Sequence, residues 1–178
     1  MRIGLTQRVL FHNEQAYDAL DHSWYEFFRA HTLFFIPNRL PVQLVDIDLL
    51  IITGGDDHLI RNQVEQTLVE QQMLKNLPII GVCHGAQLLT RLLGGTVVPC
   101  EDHQNCHHTV SYQDEQRLVN SYHKHCIEKV PQGATVLARD PDGVCESWIL
   151  NSVAAVMWHP ERMAQPWWPA EIEQLLNR

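Results

Sequence analysis

At 178 residues, 45% hydrophobic and 19% charged, the chain has the size of one compact domain with a substantial core, which excludes disorder, collagen and coiled coil. Its 13 basic and 21 acidic side chains give a formal charge of −8, which opposes a phosphate backbone or an anionic bilayer, so nucleic acid and membrane surface are set aside as partners. No stretch reads as a signal peptide or a spanning helix, and a cytoplasmic address is the expectation.

In chain order, RIGLT reads as a short strand, and DALDHSWYEFFRAH places Leu20, Trp24, Phe27 and Phe28 at helical spacing on one face. TLFFIP and DLLIITGGDD are apolar runs suited to a buried sheet, the second closed by glycines. A polar, helix-favouring stretch from about Arg61 to Asn76 carries Val64, Leu68 and Met73; Pro78 breaks it and PIIGV begins the next strand. A helix opening at Cys83 is expected to end near Gly94 and Gly95, a pair suited to a left-handed cap. This alternation predicts an α/β fold of three layers, with helices on both faces of a mostly parallel central sheet.

The second half changes character. HTVSY, QRLVN, ATVLARD, GVCESWIL and SVAAVMW are short runs separated by turn residues such as Pro141-Asp142-Gly143, and they predict strands with tighter connections. A last helix is predicted over about Pro169 to Asn177, with Ile172, Leu175 and Leu176 on one face. Without an internal repeat, a low-complexity tract or a linker, residues 1–178 read as a single domain. The five cysteines, Cys83, Cys100, Cys106, Cys126 and Cys145, match no small disulfide framework, so thiols or ligands in a reducing compartment are expected.

One cysteine stands apart. Gly81-Val82-Cys83-His84-Gly85 has the form of a nucleophile elbow, in which a strained residue at a sharp strand-to-helix turn is flanked by glycines whose missing side chains would collide with strand and helix. The helix N-terminus also favours thiolate over thiol. A buried cysteine filling a small gap is the plain alternative. A thiolate nucleophile needs a base and a group to orient that base. Met157-Trp158-His159-Pro160-Glu161 offers both, because positions two apart on an extended segment face the same way and Glu161 can hold the His159 imidazole.

GVCHGAQLL, MWHPE and Thr53-Gly54-Gly55-Asp56-Asp57 resemble the motifs of the triad-type (class I) glutamine amidotransferases. Val119-Asn120-Ser121-Tyr122-His123, Asp142-Gly143-Val144-Cys145-Glu146 and the tryptophan of MWHPE are similar to the gamma-glutamyl hydrolase branch, which includes the gamma-glutamyl-GABA hydrolases. TQR with DALDHSW resembles a smaller subgroup, the gamma-glutamyl-CDP-amidate hydrolases linked to surface-polysaccharide modification. The resemblance spans Ile3 to Glu161 and implies a flavodoxin-like, class I amidotransferase-like fold; the chain is short for the branch, which puts loops shaping a larger substrate pocket in question.

Position by position, the resemblance implies Cys83 as nucleophile, His159 as general base and then acid, and Glu161 as its orienter. It implies backbone amides of Gly55 and His84 for the oxyanion, which suits a glycine-rich turn and a helix N-terminus. Gln87 matches a contact to the glutamyl end of the substrate, and Ser121 and Tyr122 match the segment whose backbone holds the glutamyl alpha groups. An ordinary solvated helix position and a plain turn are the structural alternatives. Arg8, just past the first strand, could meet a substrate phosphate or carboxylate, or be a surface arginine.

CEDHQNCHH raises a metal site, since Cys100, His103, Cys106, His107 and His108 are possible zinc ligands, with His123, His125 and Cys126 further on. The spacing fits no standard structural zinc pattern, so neither metal nor cofactor is expected, and Cys100, Cys106, Cys126 and Cys145 read as packed or incidental thiols. Trp167 and Trp168 are expected to anchor the final helix, with a lid over substrate as the alternative. Three functions follow: a self-sufficient hydrolase of a small gamma-glutamyl conjugate, a nucleotide amidate among the candidates; a glutaminase subunit feeding ammonia to a synthase partner; and a non-catalytic metal or redox binding module.

Overall fold

The carboxyl edge of a twisted sheet organises this molecule. The computed structural model describes residues 1–42 and 46–176. In chain order the elements are β1 (Arg2–Thr6), β2 (Arg8–His12), β3 (Gln15–Ala19), α1 (Ser23–Phe27), β4 (Thr32–Ile36), β5 (Leu49–Ile52), α2 (Leu59–Leu74), β6 (Ile79–Val82) and α3 (His84–Leu92). They continue as β7 (Thr96–Pro99), β8 (Gln104–Tyr112), β9 (Glu115–Tyr122), β10 (His125–Lys129), β11 (Thr135–Arg139), β12 (Cys145–Leu150), β13 (Val153–Val156) and α4 (Ala170–Leu176).

The core strands lie in the order β4-β1-β5-β6-β13 and pair in parallel. Beyond β13 the sheet becomes antiparallel through β12, β11, β8 and β9, with β10 joining β12 to β7. Leu49–Ile52, Ile79–Val82 and Val153–Val156 are buried on both sides, as continuous apolar runs in a parallel sheet should be. Trp24 and Phe28, from α1 and the residue after it, and Ile172 and Leu175 of α4 pack on one face with Ile3, Leu5, Ile51 and Val156. Val64, Leu68 and Val69 of α2 and Ala86 and Leu89 of α3 cover the other with Leu50, Ile52, Ile79 and Ala155. The expected three-layer architecture is therefore present.

The glycine pair ends α3 as its sequence suggests. Gly95 N–H donates to the Thr90 carbonyl and Gly94 N–H to that of Arg91, with Gly94 at φ 87°, the hydrogen-bond pattern of a Schellman cap. Two expectations are corrected. The stretch read as one helix from Asp18 begins instead as β3, which pairs with β2 in a hairpin; only Ser23–Phe27 is helical. Asn13 and Glu14 both adopt positive φ at its tip, the conformation of a tight turn matched to strand twist. Cys100 and Cys126 are not free thiols: a disulfide joins them across the antiparallel β7–β10 pair, leaving Cys83, Cys106 and Cys145 free. β7 and β10 themselves are strands that the apolar pattern does not announce. The predicted end of the last helix at Asn177 lies outside the described residues. Among the described residues no helix is long and apolar enough to cross a membrane.

Candidate active site

Parallel strands deliver their carboxyl ends to one edge, and the chain places its reactive groups there. Cys83 follows β6 directly, Thr53-Gly54-Gly55 follow β5, and His159 lies three residues past β13. Cys83 has φ 53° and ψ −104°, a strained conformation for a side-chain-bearing residue, and its N–H still donates to the Val156 carbonyl at 2.9 Å. A Cβ at Gly85 would strike the Ile52 carbonyl, and one at Gly81 the Gly85 carbonyl at 2.5 Å. Only glycines allow strand, turn and helix to approach this closely.

His159 is buried, and its Nδ1 lies 2.7 Å from Oε1 of Glu161. Burial pushes the imidazole pKa down, but the hydrogen bonds and charges of Cys83 and Glu161 outweigh it and raise the pKa to about 9. The ring thus favours the imidazolium beside the sulfur. Glu161 sits in a short 3-10 turn, Pro160–Arg162, that begins at the proline. The Glu161 carboxylate thus meets the imidazole directly, and the Cys83 sulfur is among the groups that raise its pKa.

Two further devices fix that ring. Asn120 on β9 grips the His159 backbone twice, its amide donating to the carbonyl at 2.9 Å and its Oδ1 accepting from the N–H at 2.7 Å. A Cβ on Gly54 would overlap Cε1 of His159, so the loop after β5 packs directly on the imidazole. Tyr122 meets the same ring edge-on at 5.4 Å.

Beneath the loop lies a buried polar network that the motifs do not announce. Arg61 and Glu65 of α2 are fully buried and paired at 2.9 Å, four residues apart on the helix. Arg61 donates to the carbonyls of Thr53 at 2.6 Å and Gly54 at 3.4 Å, while Glu65 accepts from Thr6 Oγ1 at 2.6 Å and faces Nε2 of His84 at 3.2 Å. Burial pushes the Glu65 pKa up, but the Arg61 guanidinium and the bonds from His84 and Thr6 hold it below the ordinary value. One network therefore positions both segments expected to supply the oxyanion amides, the loop at Gly55 and the helix start at His84. An i,i+4 charge pair on a polar helix usually reads as a solvated face, which conceals this role.

A cleft of about 330 Å³ opens beside the sulfur, lined by Gly55, Asp56, Asp57, Cys83, His84, Gln87, Gln104, Tyr122, His123, Lys124 and His125. Gly55, His84, Gln87 and Tyr122 are thus in its wall, with Gln87 donating to the His125 carbonyl at 3.2 Å. Ser121 and Arg8 do not line it. Ser121 is buried, with its hydroxyl donating to the His103 carbonyl at 2.5 Å. Arg8 lines a separate pocket of about 10 Å³ behind Gly54 and Glu161, near Asp21 and Arg162. A larger recess of about 730 Å³ has His107, Arg117, Asn120, Arg162 and Trp167 in its wall. Trp167 stacks on Trp158, whose indole N–H donates to the Trp167 carbonyl, while Trp168 is buried against Phe27, so the first borders a recess and the second anchors.

The family model for "Glutamine amidotransferase class-I" matches residues 14–177. The gamma-glutamyl-CDP-amidate hydrolase of Campylobacter jejuni is 28% identical over 91% of this chain and 90% of its own length. A glutamine-hydrolyzing GMP synthase of Bdellovibrio bacteriovorus is 30% identical over 63% of this chain and 23% of its own length. Among solved structures, a glutamine amidotransferase from Thermotoga maritima superposes with a TM-score of 0.73 at 16% identity, covering 90% of this chain and 76% of that one.

Proposed function

This chain belongs to the class-I glutamine amidotransferase family, and from that premise we propose that it is a cysteine-dependent hydrolase of the gamma-glutamyl amide bond in a small conjugate. One observation carries the reading: a cysteine at φ 53° on a strand-to-helix turn, whose sulfur helps to raise the pKa of a buried imidazole to about 9, with a carboxylate 2.7 Å from that imidazole. In the proposed reaction the Cys83 thiolate attacks the gamma-carbonyl carbon. The carbonyl oxygen takes the negative charge and is met by the Gly55 and His84 amides. As the tetrahedral intermediate collapses, the C–N bond breaks and imidazolium His159 gives its proton to the departing amine. Neutral His159 then takes a proton from water, which attacks the thioester, and glutamate leaves as the sulfur is restored. Glu161 keeps the imidazole oriented throughout.

Cleft and recess support a conjugate with two ends. Lys124 with Asp56 and Asp57 offers charges opposite to the carboxylate and ammonium of a glutamyl head group, with the Gln87 amide beside them. Arg117 and Arg162, paired with Glu115 and Asp21, give the larger recess cations for an anionic leaving group, as in a nucleotide amidate. In this reading the enzyme works on a small-molecule substrate and without an added cofactor.

A glutaminase subunit serving a synthase is the second reading, favoured by the exposed Leu10, Phe11 and Tyr17 on the β2–β3 hairpin, an apolar surface suited to a partner. The isolated chain, offered gamma-glutamyl amides, a gamma-glutamyl nucleotide amidate and glutamine, separates the two. Glutamate from conjugates without any partner is expected. Glutamine hydrolysis that appears only with a synthase would select the second reading, and silence on every substrate would reject both.

A further inference from the structure

We propose that His103, His108, His123 and Glu146 form a closed, four-coordinate site for one divalent transition-metal ion of the zinc class. The four side chains converge although they come from separate parts of the chain. His103 precedes β8, His108 lies on it, His123 follows β9, and Glu146 lies on β12. One ligand atom from each falls within 4.8 Å of all the others.

Hydrogen bonding does not account for the cluster. The Glu146 side chain is 0% exposed and that of His123 1%. Both oxygens of Glu146, both nitrogens of His108 and His123, and Nδ1 of His103 are buried without a hydrogen-bond partner. Native interiors leave few such atoms, and a buried carboxylate without a donor or a cation costs several kcal/mol. Separations name the missing partner. Oε1 of Glu146 is 3.6 Å from His103 Nδ1 and 3.7 Å from His123 Nε2, and Oε2 is 3.8 Å from His108 Nε2. These distances are too long for hydrogen bonds. They approach the edge, about 3.3 Å, of a tetrahedron with metal–ligand bonds of about 2.0–2.1 Å, so an ion that drew the four side chains together, from separations of up to 4.8 Å, would satisfy them all.

The supporting shell has the same sense. Asp140 Oδ2 lies 3.3 Å from Nε2 of His103, the nitrogen facing away from the centre, and Asp140 is itself fixed by the Val144 N–H at 2.7 Å. A carboxylate behind a ligating imidazole sets its tautomer and raises its basicity. Three imidazoles and one carboxylate suit zinc and its neighbours, whereas calcium and magnesium prefer oxygen donors. Cys100 and Cys126 also lie close to His123, but their sulfurs are joined to each other. The ligand spacing resembles no zinc finger because strand pairing, not a knuckle, assembles it.

Four protein ligands leave no place for a reactive water, so the ion is structural. It ties β8 and the end of β9 to β12 and holds His123 in the wall of the Cys83 cleft. The inference does not depend on the hydrolase reading.

The test uses the untagged full chain carrying Cys83→Ala, which removes the rival thiolate, stripped with a chelator and titrated with Co²⁺. One equivalent with the visible absorption of tetrahedral cobalt, displaced by Zn²⁺, is expected. Glu146→Gln and His108→Asn should each lose that equivalent, and Asp140→Asn should weaken binding by roughly 10–100-fold. Zn²⁺ should also raise the melting temperature of the stripped protein. No saturable tetrahedral binding by the intact ligand set overturns the proposal, a result that needs no ligand variant to fold. So does retention of the equivalent in Glu146→Gln, or its loss in Cys126→Ala alone, which would assign the ion to the sulfurs.

Discussion

Gly54 and His159 show how closely one residue can control another. Because a Cβ on Gly54 would overlap the imidazole, Gly54→Ala must displace His159 from Cys83 while leaving the elbow intact. A loss of kcat of about a hundredfold or more, with little change in melting temperature, is the expected result of an ångström-scale shift. The raised His159 pKa makes a second prediction. Cys83 and Glu161 raise the His159 pKa from 6.5 to about 9 against the effect of burial. The ionised ring therefore stabilises the fold fully below about pH 6.5, and that contribution is lost as pH rises through about 9. Turnover should decline over the same upper limb, as the proton owed to the leaving amine disappears. Cys83→Ser removes the thiolate, so the His159 titration followed by NMR should move to lower pH; an unchanged titration would mean that the sulfur does not contribute.

At the scale of elements, the buried pair on α2 governs the loop after β5. Arg61→Met would leave Glu65 as an uncompensated buried charge and cost about 3–5 kcal/mol in urea denaturation. Arg61→Met with Glu65→Leu should recover much of that stability yet stay impaired in turnover, because nothing then holds the Thr53 and Gly54 carbonyls. Thiol titration of the denatured, unreduced chain should find three reactive cysteines, and Cys100→Ser should cost about 3 kcal/mol by reopening the 26-residue separation. Five reactive thiols would contradict the pairing. The elements that position the chemistry were legible because their signals are local: the apolar runs at Leu49 and Ile79, the glycines around Cys83, and the Gly94-Gly95 cap. The hairpin was obscured because its turn uses Asn13-Glu14, where a glutamate at φ 64° replaces the usual glycine. The Cys100–Cys126 bond and the contacts of Glu65 to Thr6 and His84 depend on the packing of distant elements, which no window of sequence contains. Asn120 stood in a recognisable segment, but its grip on the His159 backbone requires β9 to lie beside the end of β13.

For the whole molecule, the parallel half of the sheet carries the sulfur and the imidazole, and the antiparallel half supplies the walls around them. That division predicts separable effects on substrates. Arg117→Ala, in the wall of the larger recess, should raise KM for a gamma-glutamyl nucleotide amidate by about tenfold, the scale of one lost charge-assisted contact, and leave small neutral gamma-glutamyl amides unaffected. Equal effects on both classes would move the leaving group elsewhere. Covalent catalysis at Cys83 is best checked by acid-quench mass spectrometry of the isolated chain during turnover of a gamma-glutamyl conjugate. A glutamyl group attached to the peptide bearing Cys83, absent in Cys83→Ala and removed by hydroxylamine, is the predicted result. Glutamate release that persists in Cys83→Ala, or a glutamyl group on Cys106 or Cys145 instead, would contradict it.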